Sequence, residues 1–233
     1  MSNITKADVL TILNGRIAQS MNFSVENITV NGNEYSNVSE YIDGDDIRVV
    51  PGTGSDAAFY DGHKNIIITG ASRKPLSDGD QAQILHECTH AIVDINKLDV
   101  EKLTEEVASY LAQATFTAIY YPTKFKLYSG PRVRARPFTN FTFALDDVVE
   151  KYNLHNTRGR GARISASDIW NLRTLLHQVP DYGHIGVHDK APWAGFGAPD
   201  AGVPIKNPMH ALRAATKRAH RKEYKPSPRL MIF

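Results

Sequence analysis

Apolar residues recur at helical spacing in the opening segment. Val9, Ile12, Leu13, Ile17 and Met21 share a face and Thr5 stands at an N-cap position, which predicts one amphipathic helix over about 5–20. From Glu26 to Thr69 the texture changes. Short β-prone runs (Ile28 to Val30, Ile47 to Val50, Ala58 to Tyr60, Ile66 to Ile68) alternate with Asn-Gly, Asp-Gly and Pro-Gly turn signals. The pattern reads as a small antiparallel sheet whose last hairpin turns at Asp61-Gly62-His63-Lys64.

Helical periodicity returns between Asp78 and Ile95, with Leu85, Cys88, Ile92 and Ile95 as the apolar stripe. It recurs from Asp99 or Thr104 to about Ile119, where Leu103, Val107, Leu111 and Ala114 form the stripe. Beyond Tyr121 a loop rich in Pro and Arg precedes predicted helices near 144–152 and 165–179, the second capped by Ser165 or Ser167. Pro180 to Pro208 has no periodicity, and loops of that length are more often functional coverings than idle connections. A basic helix over about 209–222 and a short tail follow. The expected fold is α+β, with residues 1–207 as the main domain and 208–233 as a basic C-terminal helix and tail.

Composition changes this picture little. With 233 residues, 42% hydrophobic and 22% charged, the chain fits one globular core and excludes disorder or a fibrous repeat for its bulk. No apolar run nears the roughly 18 residues of a membrane span. Met1 to Ile12 lacks the pattern of a secretory signal, so the expectation is a product that is cytoplasmic as synthesised. Cys88, the single cysteine, has no partner for an internal disulfide and faces the apolar stripe, as a small core residue would.

Charge is uneven. Residues 1–100 carry 14 acidic and 7 basic side chains, net −7, and residues 101–233 carry 11 and 20, net +9, within an overall +2. Arg213, Lys217, Arg218, Arg221, Lys222, Lys225 and Arg229 face only Glu223, so attraction to nucleic acid is one reading of the C-terminus. A solvated outer face, docked through Leu212, Ala215 and Ala219, is the favoured one. Gly159-Arg160-Gly161 lacks the remaining glycines of a phosphate loop and reads as a basic loop.

The chemistry concentrates in His86-Glu87-Cys88-Thr89-His90, an HExxH motif inside the predicted helix. Side chains four apart on a helix are neighbours, so two imidazoles at this spacing converge on one metal ion. They lie roughly 100° round from the apolar stripe, where a helix edge borders a cleft. Glu87 points beside such an ion, where a carboxylate takes the proton of an attacking water. A catalytic zinc site needs a third protein ligand and an open position. Glu105 and Glu106 are both candidates. Glu106 flanks the stripe between Leu103 and Tyr110 and is the better-placed inward carboxylate. Asp94, four residues after His90 on the same side, is placed to orient a ligand, but the favoured reading is a solvent-facing helix-end carboxylate.

The run from His86 to Asp94 resembles the active-site helix of the gluzincins, the thermolysin-like zinc peptidases, and Glu106-Val107-Ala108-Ser109 resembles the segment that supplies their glutamate ligand. The resemblance spans only the stretch from the hairpin before Asp78 to about Gln113, with a short interval between His90 and Glu106 like that of compact bacterial and phage domains. It implies a zincin-like fold with an active-site helix pair, Zn2+ on His86, His90 and Glu106, and Glu87 as general base. It also implies an edge strand before the helix, here Asn65 to Thr69, that pairs with extended peptide. A downstream Tyr or His serves the oxyanion in this family, and Tyr182, ahead of His184 and His188, is the candidate here. The chain departs from the family at Tyr110, where thermolysins carry an aspartate that orients a ligand histidine.

The leading expectation is therefore zinc-dependent hydrolysis of peptide or protein substrates. Two other classes stand beside it. One is an inactive module of the same fold that binds a protein or nucleic acid, and the other is a zinc amidase acting on a non-protein substrate, because HExxH specifies the water chemistry and not the acyl group.

Overall fold

Thr5 caps the first helix as its position suggests: its hydroxyl accepts from the Asp8 N–H and the Asp8 carboxylate accepts in return from the Thr5 N–H. A computed structural model of the chain describes residues 2–52, 58–72, 75–121, 137–156 and 161–191. The predicted opening helix is two, α1 (Lys6–Leu13) and α2 (Arg16–Ser20). Gly15 between them is extended, and the Gln19 amide, donating to the Leu13 carbonyl at 2.8 Å, satisfies a group the break leaves open. Ahead of them β1 (Ser2–Asn3) pairs with a later strand. After them β2 (Asn22–Val25) and β3 (Ile28–Asn31) form a hairpin in which Val25 opposes Ile28 and Glu26 takes φ 53°.

The expectation of one antiparallel sheet from Glu26 to Thr69 is overturned by a helix. Asn31-Gly32 is not a turn: the Asn31 side chain accepts from the Glu34 N–H at 2.9 Å and caps α3 (Gly32–Asp43), which buries Tyr35, Val38 and Ile42. A Cβ on Gly32 would lie 2.5 Å from the Gln19 carbonyl oxygen, which is backbone and cannot swing away. Gly32→Ala is expected to cost about 1–3 kcal/mol, read as a lower urea midpoint with an unchanged slope.

With α3 interposed, the strands form small mixed sheets. β4 (Arg48–Pro51), β5 (Phe59–Asp61) and β6 (Ile66–Thr69) lie in the order β4-β6-β5, β6 running parallel to β4 and antiparallel to β5. The chain leaves β4, passes the place of β6, and turns back through the predicted hairpin at Asp61–Lys64, whose Lys64 N–H donates to the Asp61 carbonyl. The segment Asn65 to Thr69 is thus a central strand and not the edge. Its isoleucine run fits that place, with Ile66 and Ile67 buried. The edge strand nearest the helix that carries HExxH is β5. β7 (Ala71–Ser72) pairs with β1, and β8 (Ala162–Arg163) joins β2 in parallel.

Two long helices carry the HExxH segment and its partner glutamates. Ser77 and Asp80 form a capping box at the start of α4 (Asp78–Ile95). It ends in a Schellman turn, where Lys97 takes φ 50° and the Leu98 N–H donates to the Val93 carbonyl. The chain then reverses into α5 (Lys102–Tyr120), and the Tyr121 hydroxyl donates to the Asp78 carboxylate, tying the end of one helix to the start of the other. Leu85, Cys88 and Ile92 of α4 and Leu103, Val107 and Leu111 of α5 are buried as their spacing suggests.

The fourth predicted helix, expected near 144–152, starts earlier than its pattern indicates, as α6 (Pro137–Lys151). The alternation Thr139-Asn140-Phe141-Thr142-Phe143 is strand-like, but Phe141 is fully buried with its ring 5.2 Å from that of Tyr110, and this packing outweighs propensity. Ser165, not Ser167, caps α7 (Ala166–His177) by accepting from the Asp168 N–H.

The architecture is α+β, and the described residues belong to one compact unit, Met1–Gly195. No helix among them is long and apolar enough to cross a membrane. The Pro- and Arg-rich loop after Tyr121, most of Gly159-Arg160-Gly161, the Pro180 to Pro208 segment beyond Ala191, and the basic helix and tail lie outside the described residues. Residues 180–191 pack against the start of α5: the Lys102 N–H donates to the Asp189 carbonyl and the Ala191 N–H to the Val100 carbonyl.

Candidate metal centre

Where α4 and α5 run side by side, His86 and His90 from consecutive turns of α4 meet Glu106 from the second turn of α5. The His86 and His90 Nε2 atoms are 3.3 Å apart, and Glu106 Oε2 lies 3.7 Å from the first and 3.9 Å from the second. A four-coordinate zinc ion holds its ligand atoms about 3.4 Å from one another, so closing this triangle needs a shift of about 0.5 Å at the carboxylate. The donor set of two imidazoles and one carboxylate suits zinc among other divalent ions.

Glu105 is drawn to a different task. Its Oε1 lies 2.8 Å from His90 Nδ1, which leaves His90 Nε2 facing His86 and Glu106. A carboxylate on the far nitrogen of a ligand imidazole fixes ring orientation and raises basicity. His86 has an aromatic neighbour instead: the Tyr110 ring stands edge-on to it, 4.6 Å between centroids. The orienting carboxylate is thus on the second histidine, and a tyrosine stands beside the first.

Electrostatics favour a cation here. Glu106 and Glu87 are 4% and 6% exposed, and buried carboxylates are costly without a positive partner. Burial by itself would lower the His90 pKa, yet Glu105, Glu106 and Glu87 outweigh it and push it up to about 9. In the metal-free protein a proton on His90 therefore supplies the positive charge. Raised above its ordinary value, this group lends stability that is complete below about pH 6.5 and lost as pH rises through about 9. A metal at Nε2 must displace that proton. Apparent zinc affinity is expected to climb by about tenfold per pH unit from about pH 7 and to flatten above about pH 9, measured by competition with a chelating dye.

Glu87 stands outside the ligand triangle. Its Oε2 accepts from the Tyr60 N–H of β5 at 2.8 Å. Tyr60 reaches α4 a second time, its hydroxyl donating to Asp94 Oδ2 at 2.7 Å. Asp94 is buried, which corrects its reading as a solvent-facing residue. No sequence signal marks Tyr60, because its link to Glu87 runs through the backbone and depends on where β5 lies.

Of the three oxyanion candidates, Tyr182 is buried with its hydroxyl 2.8 Å from that of Tyr110, so it stands one ring removed from His86. His184 is exposed, and His188 sits at the start of α5 with Nδ1 2.8 Å from Glu101 Oε1. Cys88 lies fully in the core, where burial pushes its thiol pKa up. No family model, curated protein or solved structure matches the chain.

Proposed function

We propose that the chain is a zinc-dependent hydrolase of the zincin type that cleaves peptide bonds, with His86, His90 and Glu106 holding the metal and Glu87 as general base. The observation that carries the reading is the gathering of His86, His90 and Glu106 into one ligand triangle beside a separate buried carboxylate. A purely structural zinc site is closed by four protein ligands and has no use for a base at its flank. Zinc bound here would supply Lewis acidity toward water and an acyl carbonyl.

The protein's own groups divide the remaining work. Glu105 holds His90 in the orientation that presents Nε2. Glu87, fixed by the Tyr60 N–H, takes the proton of the attacking water and returns it to the leaving amine. Tyr182, hydrogen-bonded to Tyr110, is the hydroxyl assigned to the developing oxyanion. The resemblance to gluzincins supports this reading from the sequence side.

The test joins metal content to turnover. Protein purified without added metal is expected to contain about one zinc per chain and to cleave members of a mixed peptide library in a chelator-sensitive manner. Bound zinc without turnover of any peptide would shift the assignment to a binding module, or to an amidase if non-protein amides are cleaved.

A further inference from the structure

The proposed base belongs to a row of side chains that fastens β5 to α4. Gln83, Glu87 and Asp94 fall within about 40° of one another around the helix. Gln83 Nε2 donates to the Ala58 carbonyl at 3.2 Å, Glu87 accepts from the Tyr60 N–H, and Asp94 accepts from the Tyr60 hydroxyl. Tyr60 opposes Ile67 of β6, yet its N–H is directed to α4. Strand and helix approach closely at the hairpin turn, where a Cβ on Gly62 would lie 3.1 Å from Asp94 Oδ2. Burial first, and Asp94 second, hold the Tyr60 hydroxyl far above the usual tyrosine range, so it remains a donor.

Two links therefore join Glu87 to Asp94 through a single residue. A glutamate side chain has three rotatable bonds, and a base must point at its water to act. The Tyr60 N–H restricts the Glu87 carboxylate, and the Asp94 contact restricts that N–H, because a strand pinned by its side chain cannot slide along α4. We propose that Tyr60 is a positioning residue for the hydrolysis proposed above, aiming the Glu87 carboxylate through its backbone N–H while Asp94 anchors its hydroxyl. The proposal rests on the hydrolase reading, and it assigns Tyr60 no contact with the metal or the substrate.

A simple staple between strand and helix would affect stability alone, so the test separates aim from stability. In Tyr60→Phe, zinc content is expected to stay at the wild-type level and the residue-60 amide to exchange at least about tenfold faster by NMR. The kcat should fall by about 10–100-fold with KM within about twofold, the pattern of a misplaced group that acts after binding. Asp94→Ala should reproduce these changes, and Asp94→Asn, which keeps an acceptor for the hydroxyl, should restore both amide protection and kcat. If Tyr60→Phe does not fold, the two Asp94 variants carry the comparison. Unchanged amide protection, unchanged kcat, a loss carried by KM, or Asp94→Asn as impaired as Asp94→Ala would each overturn the positioning role. Wild type without turnover would remove the hydrolase reading and Tyr60's part in it, while amide exchange would still report whether the clamp exists.

Discussion

Glu87→Gln is expected to leave a folded, zinc-bearing protein whose hydrolytic rate falls by at least about 10²-fold, the lower end of what a positioned general base contributes. The substitution is diagnostic because the two tasks of Glu87 separate. As a hydrogen-bond acceptor it holds the Tyr60 N–H, and glutamine retains a carbonyl oxygen for that bond. As a base it needs a carboxylate, which glutamine lacks. It lies outside the ligand triangle, so metal content should not follow the loss of rate. Glu87→Ala is a poorer probe, since it also frees the edge of β5 and confuses lost chemistry with a shifted strand. Equal, chelator-sensitive turnover by wild type and Glu87→Gln would refute the mechanism.

The residues that gather at the centre were legible in sequence because helical geometry does most of the gathering. His86 and His90 face together by spacing alone, and the interval to Glu106 allows one turn between two helices packed in opposite directions. The apolar stripes of α4 and α5 settled which side of each helix turns inward, and thereby which glutamate follows them.

What was not legible depends on contacts distant in sequence. Helix α3 was hidden behind Asn31-Gly32, a strong turn signal, although Glu34 three residues after Asn31 and the spacing of Tyr35, Val38 and Ile42 were helix signals of equal standing. The isoleucine run fits the central place that β6 takes, but the strands on either side of it, and so the edge, are set by pairing distant in sequence. The burial of Asp94 is likewise a consequence of where Tyr60 arrives. In each case a local pattern admitted two structures and tertiary pairing selected one.

Glu106→Ala is expected to abolish stoichiometric zinc, whereas Glu105→Ala should keep one zinc per chain and bind it about 10–100-fold more weakly, the usual cost of losing a partner on a ligand histidine. Glu106 Oε2 faces both Nε2 atoms, and two imidazoles alone leave the ion short of a protein ligand and of a negative charge. Glu105 faces the opposite side of the His90 ring, at Nδ1, and cannot reach the ion without giving up that contact. Losing it should loosen the ring, while the proton that Glu105 helps hold on His90 competes less with the metal. Affinities compared above about pH 9, where that proton is gone, therefore isolate the loss of the ring's partner. His86→Ala serves as the control, since it removes a ligand from the other end of the triangle and should lose zinc as Glu106→Ala does. Elemental analysis of each variant, with zinc affinity by dye competition at one fixed pH, decides the matter. A Glu105→Ala protein without zinc beside a Glu106→Ala protein that keeps it would exchange the two roles, and zinc content indifferent to His86→Ala would dispose of the site.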